Sequence, residues 1–294
     1  MIKKKLYIWV CDYSENTGEG KLARLFIKSQ NIKNQFNIEF YQTRKLEQKY
    51  ISTFLGILYC WQKYLKNERV CYLNYLPFWN FLLFFLLPPK TILGPITGGA
   101  NFLKSNKFNY FLRGFIFPIF YKISEFMINK RSTKIIFSTD LLKKYLSKKT
   151  IKKSKFNLVI DNIKLKKKRV KKIDFLIYFR DHKNKKNFFP FDFIKKLIKL
   201  KFSVCVIGDS LKIPLVKNYG YLKNKKVDKL QSLSRYTISS GENLLSFFIL
   251  ECLSNNMKIL IDKSDKNKVP ILRDKFIKMD YNSSKSLKKI FKRK

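Results

Sequence analysis

Glu242 and Glu251 are the residues best placed by type and spacing to do chemistry in this 294-residue chain. Acids are scarce, 20 Asp and Glu against 63 Lys and Arg, yet two stand near each other in SSGENLLSFFILECLSNN, residues 239–256. Glu251 interrupts the apolar run FFILECL. A buried carboxylate needs a partner, because burying its charge unpaired is strongly unfavourable. A ribose diol would supply two hydroxyl donors, and a lysine from elsewhere would serve equally well. On one continuous helix the spacing of the two acids is about half a turn beyond two full turns, so they would face opposite ways. They share a site only if Glu242 lies in a loop and Glu251 on the helix that follows. Gly241 and Asn243 favour that loop.

Other chemistries have little to work with. The single histidine, His182, would have to carry any His-based metal site or catalytic triad. The five cysteines form no C-x-x-C pair and most sit in apolar runs, which fits a reducing cytosol and argues against a disulfide scaffold. No Asp-x-Asp is present. Glycine is rare, ten in all, and it concentrates in two loops. Gly18 and Gly20, flanking Glu19, lie in SENTGEG; Gly94, Gly98 and Gly99 lie in GPITGGAN, with Thr97 beside them. Neither loop has the spacing of a P-loop. Both follow short apolar segments, and glycines after a strand let backbone approach a phosphate or sugar.

These loops must be held by an alternation of strands and helices. In the first half, Leu6–Val10 reads as a strand leading through SENTGEG into the helix KLARLFIKS. Tyr72–Tyr75 reads as a strand, Phe78–Leu87 as a short apolar helix and Thr91–Leu93 as a strand. Residues 108–128 read as a kinked amphipathic helix pair around Pro118, with Arg113, Lys122 and Glu125 spaced through it, solvated charges if the pair packs into the core. Ile135–Ser138 is a strand, Thr139 or Asp140 caps the helix LLKKYL, and Phe156–Ile160 is a further strand. In the second half, the strands are Ile173–Phe179, Ser203–Ile207, Tyr236–Ser239 and Lys258–Ile261. The helices between them are Phe191–Leu200, Lys226–Ser234 and Ser246–Ser254, and SSKSLKKIFKRK is a terminal basic helix. The alternation predicts parallel sheets with helices on both faces. The expected organisation is a Rossmann-like domain over 1–162, a basic linker over 163–172 and a second Rossmann-like domain over 173–294, with the loops facing a central cleft.

The net charge of +43 suggests a polyanionic partner at first sight. Only ten of the cations are Arg, and Ala, Gly and Pro are scarce while Lys, Asn, Ile, Phe and Tyr abound. That is the signature of A/T-rich codons expressed on a solvated surface, whereas a dedicated phosphate binder prefers Arg. A basic nucleic-acid-binding protein stays as the alternative function. The start, MIKKKLYIWVCDYSEN, is too short in its apolar run for a signal peptide. The charge-free stretch 70–89 raises a membrane anchor, but its prolines leave about ten helical residues, too few to span. Residues 70–89 and 108–128 are alternatively core or membrane-surface elements.

The strand–GEN–loop–helix–Glu pattern followed by NNMKILID resembles the donor-binding segment of group 1 (family 4-like) glycosyltransferases. IDFLIYFRDHKNKK, CVIGD and NYGYLKNKKVDKLQSLSRYTISS resemble the preceding segments of the same domain, and SENTGEGKLARLF and LGPITGGAN resemble its partner domain's loops. The resemblance implies an α/β, two-domain B-type glycosyltransferase fold. It implies transfer from a nucleotide-sugar to a lipid-linked or surface-polysaccharide acceptor, retaining and metal-independent, with no cofactor beyond the co-substrate. By the same resemblance Arg180 would bind the donor diphosphate beside Lys185 or Lys186, and Glu251 the nucleotide ribose. Glu242 would be the catalytic-side acid near the donor sugar. Gly241, Asn243 and the backbone of Leu244, Leu245 and Ser246 would cradle phosphate. Gly18, Glu19, Gly20, Thr97, Gly98 and Gly99 would approach donor or acceptor. The implied location is the cytoplasm, peripheral on the inner face of the cell membrane, with an anionic membrane surface as a partner and nucleic acid disfavoured.

Overall fold

Apolar strands of four to seven residues set the frame of each half, because strands buried on both faces of a parallel sheet read as unbroken hydrophobic runs. The structure is a computed structural model that describes residues 3–43, 49–74, 76–98, 108, 111–131, 134–182, 186, 189–239, 244–265, 269, 271–283 and 287. The chain divides into two units, Met1–Asn162 and Ile163–Lys294.

In the first unit, β1 (Lys4–Val10) leads to α1 (Gly18–Ser29), the single turn α2 (Ile32–Gln35), β2 (Phe36–Gln42), α3 (Lys49–Tyr64) and β3 (Arg69–Tyr72). Then come β4 (Leu76–Pro77), α4 (Phe81–Leu86), β5 (Ile92–Leu93) and β6 (Ile96–Thr97). A π-helical turn, Leu112–Ile116, runs into α5 (Phe117–Arg131), followed by β7 (Ile135–Ile136), α6 (Lys148–Lys153) and β8 (Ser154–Lys155). The main sheet is parallel in the order β2-β1-β3-β5. Its centre is Trp9, fully buried and stacked on Tyr72 with ring centroids 4.3 Å apart.

Several boundaries differ from expectation for local reasons. β3 begins and ends earlier than Tyr72–Tyr75, and Tyr75 itself lies outside the described residues. α4 is shorter than Phe78–Leu87 because Asn80 caps it, accepting the Leu83 N–H at 3.4 Å. Pro118 lies just past the π-turn, inside a helical run that passes from Leu112 into α5, so the irregularity of the pair lies next to the proline. LLKKYL forms only a 3₁₀ turn, Lys143–Tyr145, with no side-chain cap. Instead of a strand at Phe156–Ile160 there is a 3₁₀ segment, Leu158–Asn162, because Asn157 takes a left-handed φ of 58° and breaks the extended run.

Glu125 is no solvated charge. It is buried, and its Oε1 accepts the Ser147 N–H at 2.7 Å and the Thr150 hydroxyl at 2.5 Å, finishing the cap of α6.

In the second unit, β9 (Ile173–Phe179) is followed by α7 (Phe191–Lys199), β10 (Val204–Gly208), β11 (Lys217–Asn218) and α8 (Asn224–Leu233). β12 (Ser234–Ile238), α9 (Phe247–Ser254), β13 (Lys258–Asp262) and β14 (Phe276–Met279) complete it. The sheet is wholly parallel, ordered β11-β10-β9-β12-β13-β14. Counted in chain order this is the 3-2-1-4-5-6 arrangement of a Rossmann sheet. Alternate side chains divide between its faces. Phe175, Ile177 and Phe179 join Phe193, Ile194 and Leu197 of α7 in one core, each burial stabilising by about 1.5–3 kcal/mol.

The basic run 163–172 is tied to this unit. Lys166 N–H donates to the Ser254 carbonyl and Lys172 N–H to that of Leu233, each at 2.8 Å. The Lys171 ammonium reaches the carbonyls of Ser232 and Asn255 at 3.0 and 2.9 Å. These are the last carbonyls of α8 and α9, which lack helical partners and attract positive charge. Of the C-terminal segment 283–294, only Ser283 and Leu287 are described, and Leu287 is buried.

Candidate functional site

In a sheet ordered as the second one is, the chain leaves β9 towards β10 and leaves β12 towards β13, so the connections diverge and open a crevice at the strand ends. Arg180 follows the last residue of β9 and is exposed. Ser239 follows β12; its N–H is held by the Leu260 carbonyl at 2.9 Å, while its hydroxyl is buried and has no hydrogen-bond partner among the described residues. Ser246 caps α9, its hydroxyl accepting the Ile249 N–H at 3.4 Å. That leaves the N–H groups of the first helical turn pointing outward, at the positive end of the helix dipole.

Tyr178 and Phe248 join these parts. Their rings lie 5.5 Å apart, which sets the first turn of α9 against the C-terminal end of β9, one residue from Arg180. Glu251 is half-buried and stands one helical turn beyond Phe247 and Phe248, the two other half-buried residues of α9. It is therefore not the fully buried carboxylate that the apolar run suggested: the helix turns Leu250, Cys252 and Leu253 into the core and leaves Glu251 at its margin. Leu244 and Leu245 form a buried turn before the cap. Gly241, Glu242, Asn243 and Lys185 lie outside the described residues, so the expected approach of Glu242 to Glu251 has no geometry here.

Asp209 fixes the loop that carries Arg180. Its carboxylate accepts the Asp181 N–H at 2.7 Å and the Tyr221 hydroxyl at 2.8 Å. Those two bonds, with the nearby Arg180 guanidinium, hold its pKa below the ordinary 3.8, and the same contact raises Tyr221. Gly208 permits the turn: its φ is 97°, and a Cβ there would lie 2.2 Å from the Phe179 carbonyl oxygen. Lys186 pairs with Asp181 at 2.9 Å, so it reaches the same loop from the other side. Gly208-Asp209 was visible as a strand end, but nothing in the sequence announced Tyr221 or Tyr178 as its companions.

The first unit has its own strand-end site. β1 and β3 are adjacent and their connections diverge to β2 and β5, giving a second crevice position. Asn74, just past β3 and buried, accepts the N–H groups of Cys11 and Asp12 on Oδ1 at 3.0 and 3.2 Å, and donates from Nδ2 to the Glu19 carbonyl at 3.4 Å. The loop it holds is built from short polar turns. Asp12 accepts the Ser14 N–H at 2.9 Å, Ser14 accepts the Asn16 N–H at 3.0 Å, and Thr17 caps α1 by accepting the Gly20 N–H at 3.0 Å. Arg24 clamps Glu15 at 2.6 Å.

The two loop glycines divide in role. A Cβ on Gly20 would sit 2.1 Å from the Ser14 carbonyl oxygen, so Gly20 closes the loop on itself; around Gly18 there is open space within 4 Å. Thr97 ends β6 and is half-buried; Gly98 follows with a φ of 121°, and Gly99 lies outside the described residues.

Thiol chemistry has no foothold. All five cysteines are free and buried, and burial pushes Cys60 up to about 12 and raises Cys71, Cys205 and Cys252 as well. Among the described residues no three His, Cys, Asp or Glu side chains converge to hold a metal, and no helix is long and apolar enough to cross a membrane.

No protein-family model matches the chain, and no curated protein matches it. Solved structures do. The crystal structure of Anabaena Alr3699/HepE in complex with UDP aligns over 98% of this chain and 88% of that one, with 11% identity and a TM-score of 0.50. The same protein with UDP and glucose aligns over the same shares at 10% identity and a TM-score of 0.50. A putative UDP-N-acetylglucosamine 2-epimerase from Listeria monocytogenes aligns over 90% of this chain and 80% of that one, at 9% identity and a TM-score of 0.50. The chain therefore has an α/β fold of parallel sheets that matches B-type glycosyltransferase and epimerase structures.

Proposed function

We propose that this chain is a glycosyltransferase of the group 1 type that takes a nucleotide-sugar as donor and a lipid-linked or surface-polysaccharide glycan as acceptor. One observation supports the reading: in the 3-2-1-4-5-6 sheet the Tyr178–Phe248 contact sets the capped first turn of α9 against the end of β9 that Arg180 follows. Breaking the sugar–phosphate bond places negative charge on the leaving nucleoside diphosphate. Arg180, with Lys185 or Lys186, and the N–H groups after Ser246 would bind that charge as it forms, which lowers the barrier without a metal. Glu251 would accept the ribose hydroxyls, and Glu242 would face the donor sugar with configuration retained. In the first unit, the loop held by Asn74 would offer Gly18–Gly20 to the donor or acceptor, with Thr97–Gly99 contributing beside it.

The test is thermal stability of the purified protein with UDP-, GDP-, ADP- and CMP-sugars, beside Glu251→Ala. UDP-sugars come first, because the aligned HepE structures hold UDP. Ligand at about 100 times its dissociation constant stabilises by ~2.7 kcal/mol. A shift with one nucleotide, lost in the variant, supports the reading and names the base. No shift with any of them, together with a salt-sensitive shift with RNA, refutes it in favour of nucleic-acid binding.

A further inference from the structure

We propose that α4, the π-turn and α5 form a docking face for an anionic lipid bilayer, whatever reaction the chain carries out. Soluble proteins rarely expose large apolar side chains in contiguous groups. Here Phe115, Ile119, Ile123 and Phe126 project from the π-turn and α5 at successive turns, exposed by 60, 58, 36 and 57%. Leu82 and Phe85 project from α4 at 54 and 59%. The two helices lie alongside each other. The Phe81 and Phe120 rings are 5.2 Å apart, Trp79 stacks on Phe117 at 5.5 Å, and the Arg131 guanidinium donates to the carbonyls of Phe85 and Leu87 at 3.0 and 2.6 Å. Arg131 thereby satisfies the last carbonyls of α4 and fixes its pose against α5.

Charge selects the occupant. The one acid of this surface, Glu125, is buried against α6 and paired with Lys122 at 3.4 Å. The other charged side chains among the described residues of α4, the π-turn and α5 are Arg113, Lys122, Lys130 and Arg131, all positive. Lys122, Phe126 and Lys130 form an i, i+4, i+8 row on α5, and the Lys130 ammonium lies 4.3 Å from the Phe126 ring centroid. Long lysine stems beside exposed aromatics keep their heads in the headgroup layer while the rings enter the acyl boundary. A second copy of the chain would bring like charges together across a two-fold axis, which disfavours it. An anionic leaflet meets both the apolar face and its cations.

The experiment is flotation of the full chain with phosphatidylcholine vesicles, with and without about one third phosphatidylglycerol, at about 0.1 M salt. The expected result is binding to the anionic vesicles only. Phe115→Ser with Phe126→Ser should weaken it at least about tenfold, and Lys122→Gln with Lys130→Gln about 30-fold. Lys225→Gln with Lys229→Gln, on exposed positions of α8, should change it by less than about threefold. Circular dichroism melts confirm that each variant is folded. Equal losses in the α8 variant, or none in the phenylalanine variant, would mean diffuse adsorption of a polycation and overturn the proposal. So would a dimer in solution that the phenylalanine variant dissociates.

Discussion

Replacing Asn74 should unfasten the loop of the first unit, and the structure sets the size of the effect. Asn74 Oδ1 is the acceptor for two backbone donors, Cys11 N–H at 3.0 Å and Asp12 N–H at 3.2 Å, in a position only 3% exposed. Asn74→Ala leaves both without an acceptor, at roughly 1–3 kcal/mol each. Water entering the vacated space recovers part of this, so a total of about 2–4 kcal/mol is expected. For a unit of this size each kcal/mol moves the melting temperature by roughly 2–4 °C, which gives a fall of about 5–15 °C. Asn74→Asp keeps the acceptor but sets a buried carboxylate against the Glu19 carbonyl, so its cost should shrink as pH falls and the carboxyl gains a proton to donate there. Differential scanning calorimetry at neutral and acid pH measures both variants. Limited proteolysis of residues 11–20 should quicken in the alanine variant. If the cost of Asn74→Asp does not shrink at low pH relative to that of Asn74→Ala, or if the alanine variant melts with the parent, the acceptor role is wrong.

Two further outcomes follow from the charged groups. Burial pushes the Glu125 carboxyl up, but the Thr150 hydroxyl, Ser147 and the Lys122 ammonium outweigh it and leave the pKa below 4.5. A pKa lowered on folding gives stability that is present above the unfolded value and lost as pH falls through the folded one. Urea midpoints of the parent should thus drop relative to Glu125→Gln below about pH 4.5, and parallel curves would contradict the capping role. Tyr221→Phe removes a hydroxyl donor from Asp209, so the Asp209 pKa should rise towards 3.8 in a carboxyl-carbon NMR titration; an unmoved value would mean that Tyr221 does not hold the loop.

The legible parts of the sequence are those where burial is two-sided. IDFLIYF is a strand over the whole range expected, Ile173–Phe179, because the five apolar residues between Asp174 and Arg180 read as a run buried on both faces of a sheet. Ser246 marked the start of α9 because a serine before an apolar run caps a helix. β2 was not anticipated: FNIEFYQ lies at a sheet edge, mostly exposed, and carries no burial pattern. β11, with two residues, is too short to have a period. Asn74 was silent for a different reason. Its partners lie some sixty residues away, and only the β1–β3 register brings them to it.

The lysine excess is best understood position by position. Lys171 and the backbone of Lys166 and Lys172 close the C-terminal ends of α8 and α9, which a run of like charges in sequence would not suggest. Helix carbonyls supply a negative potential that such a strap can satisfy without any external polyanion. Lys186 holds the Arg180 loop through Asp181. Lys171 and Lys186 thus already have intramolecular partners. A polyanion groove would need them turned outward together, with bases stacked on the aromatics between them. Part of the net charge is thus satisfied within the fold, and the donor site proposed above draws on Arg180 and the capped first turn of α9, which the Tyr178–Phe248 contact brings to the same end of the sheet.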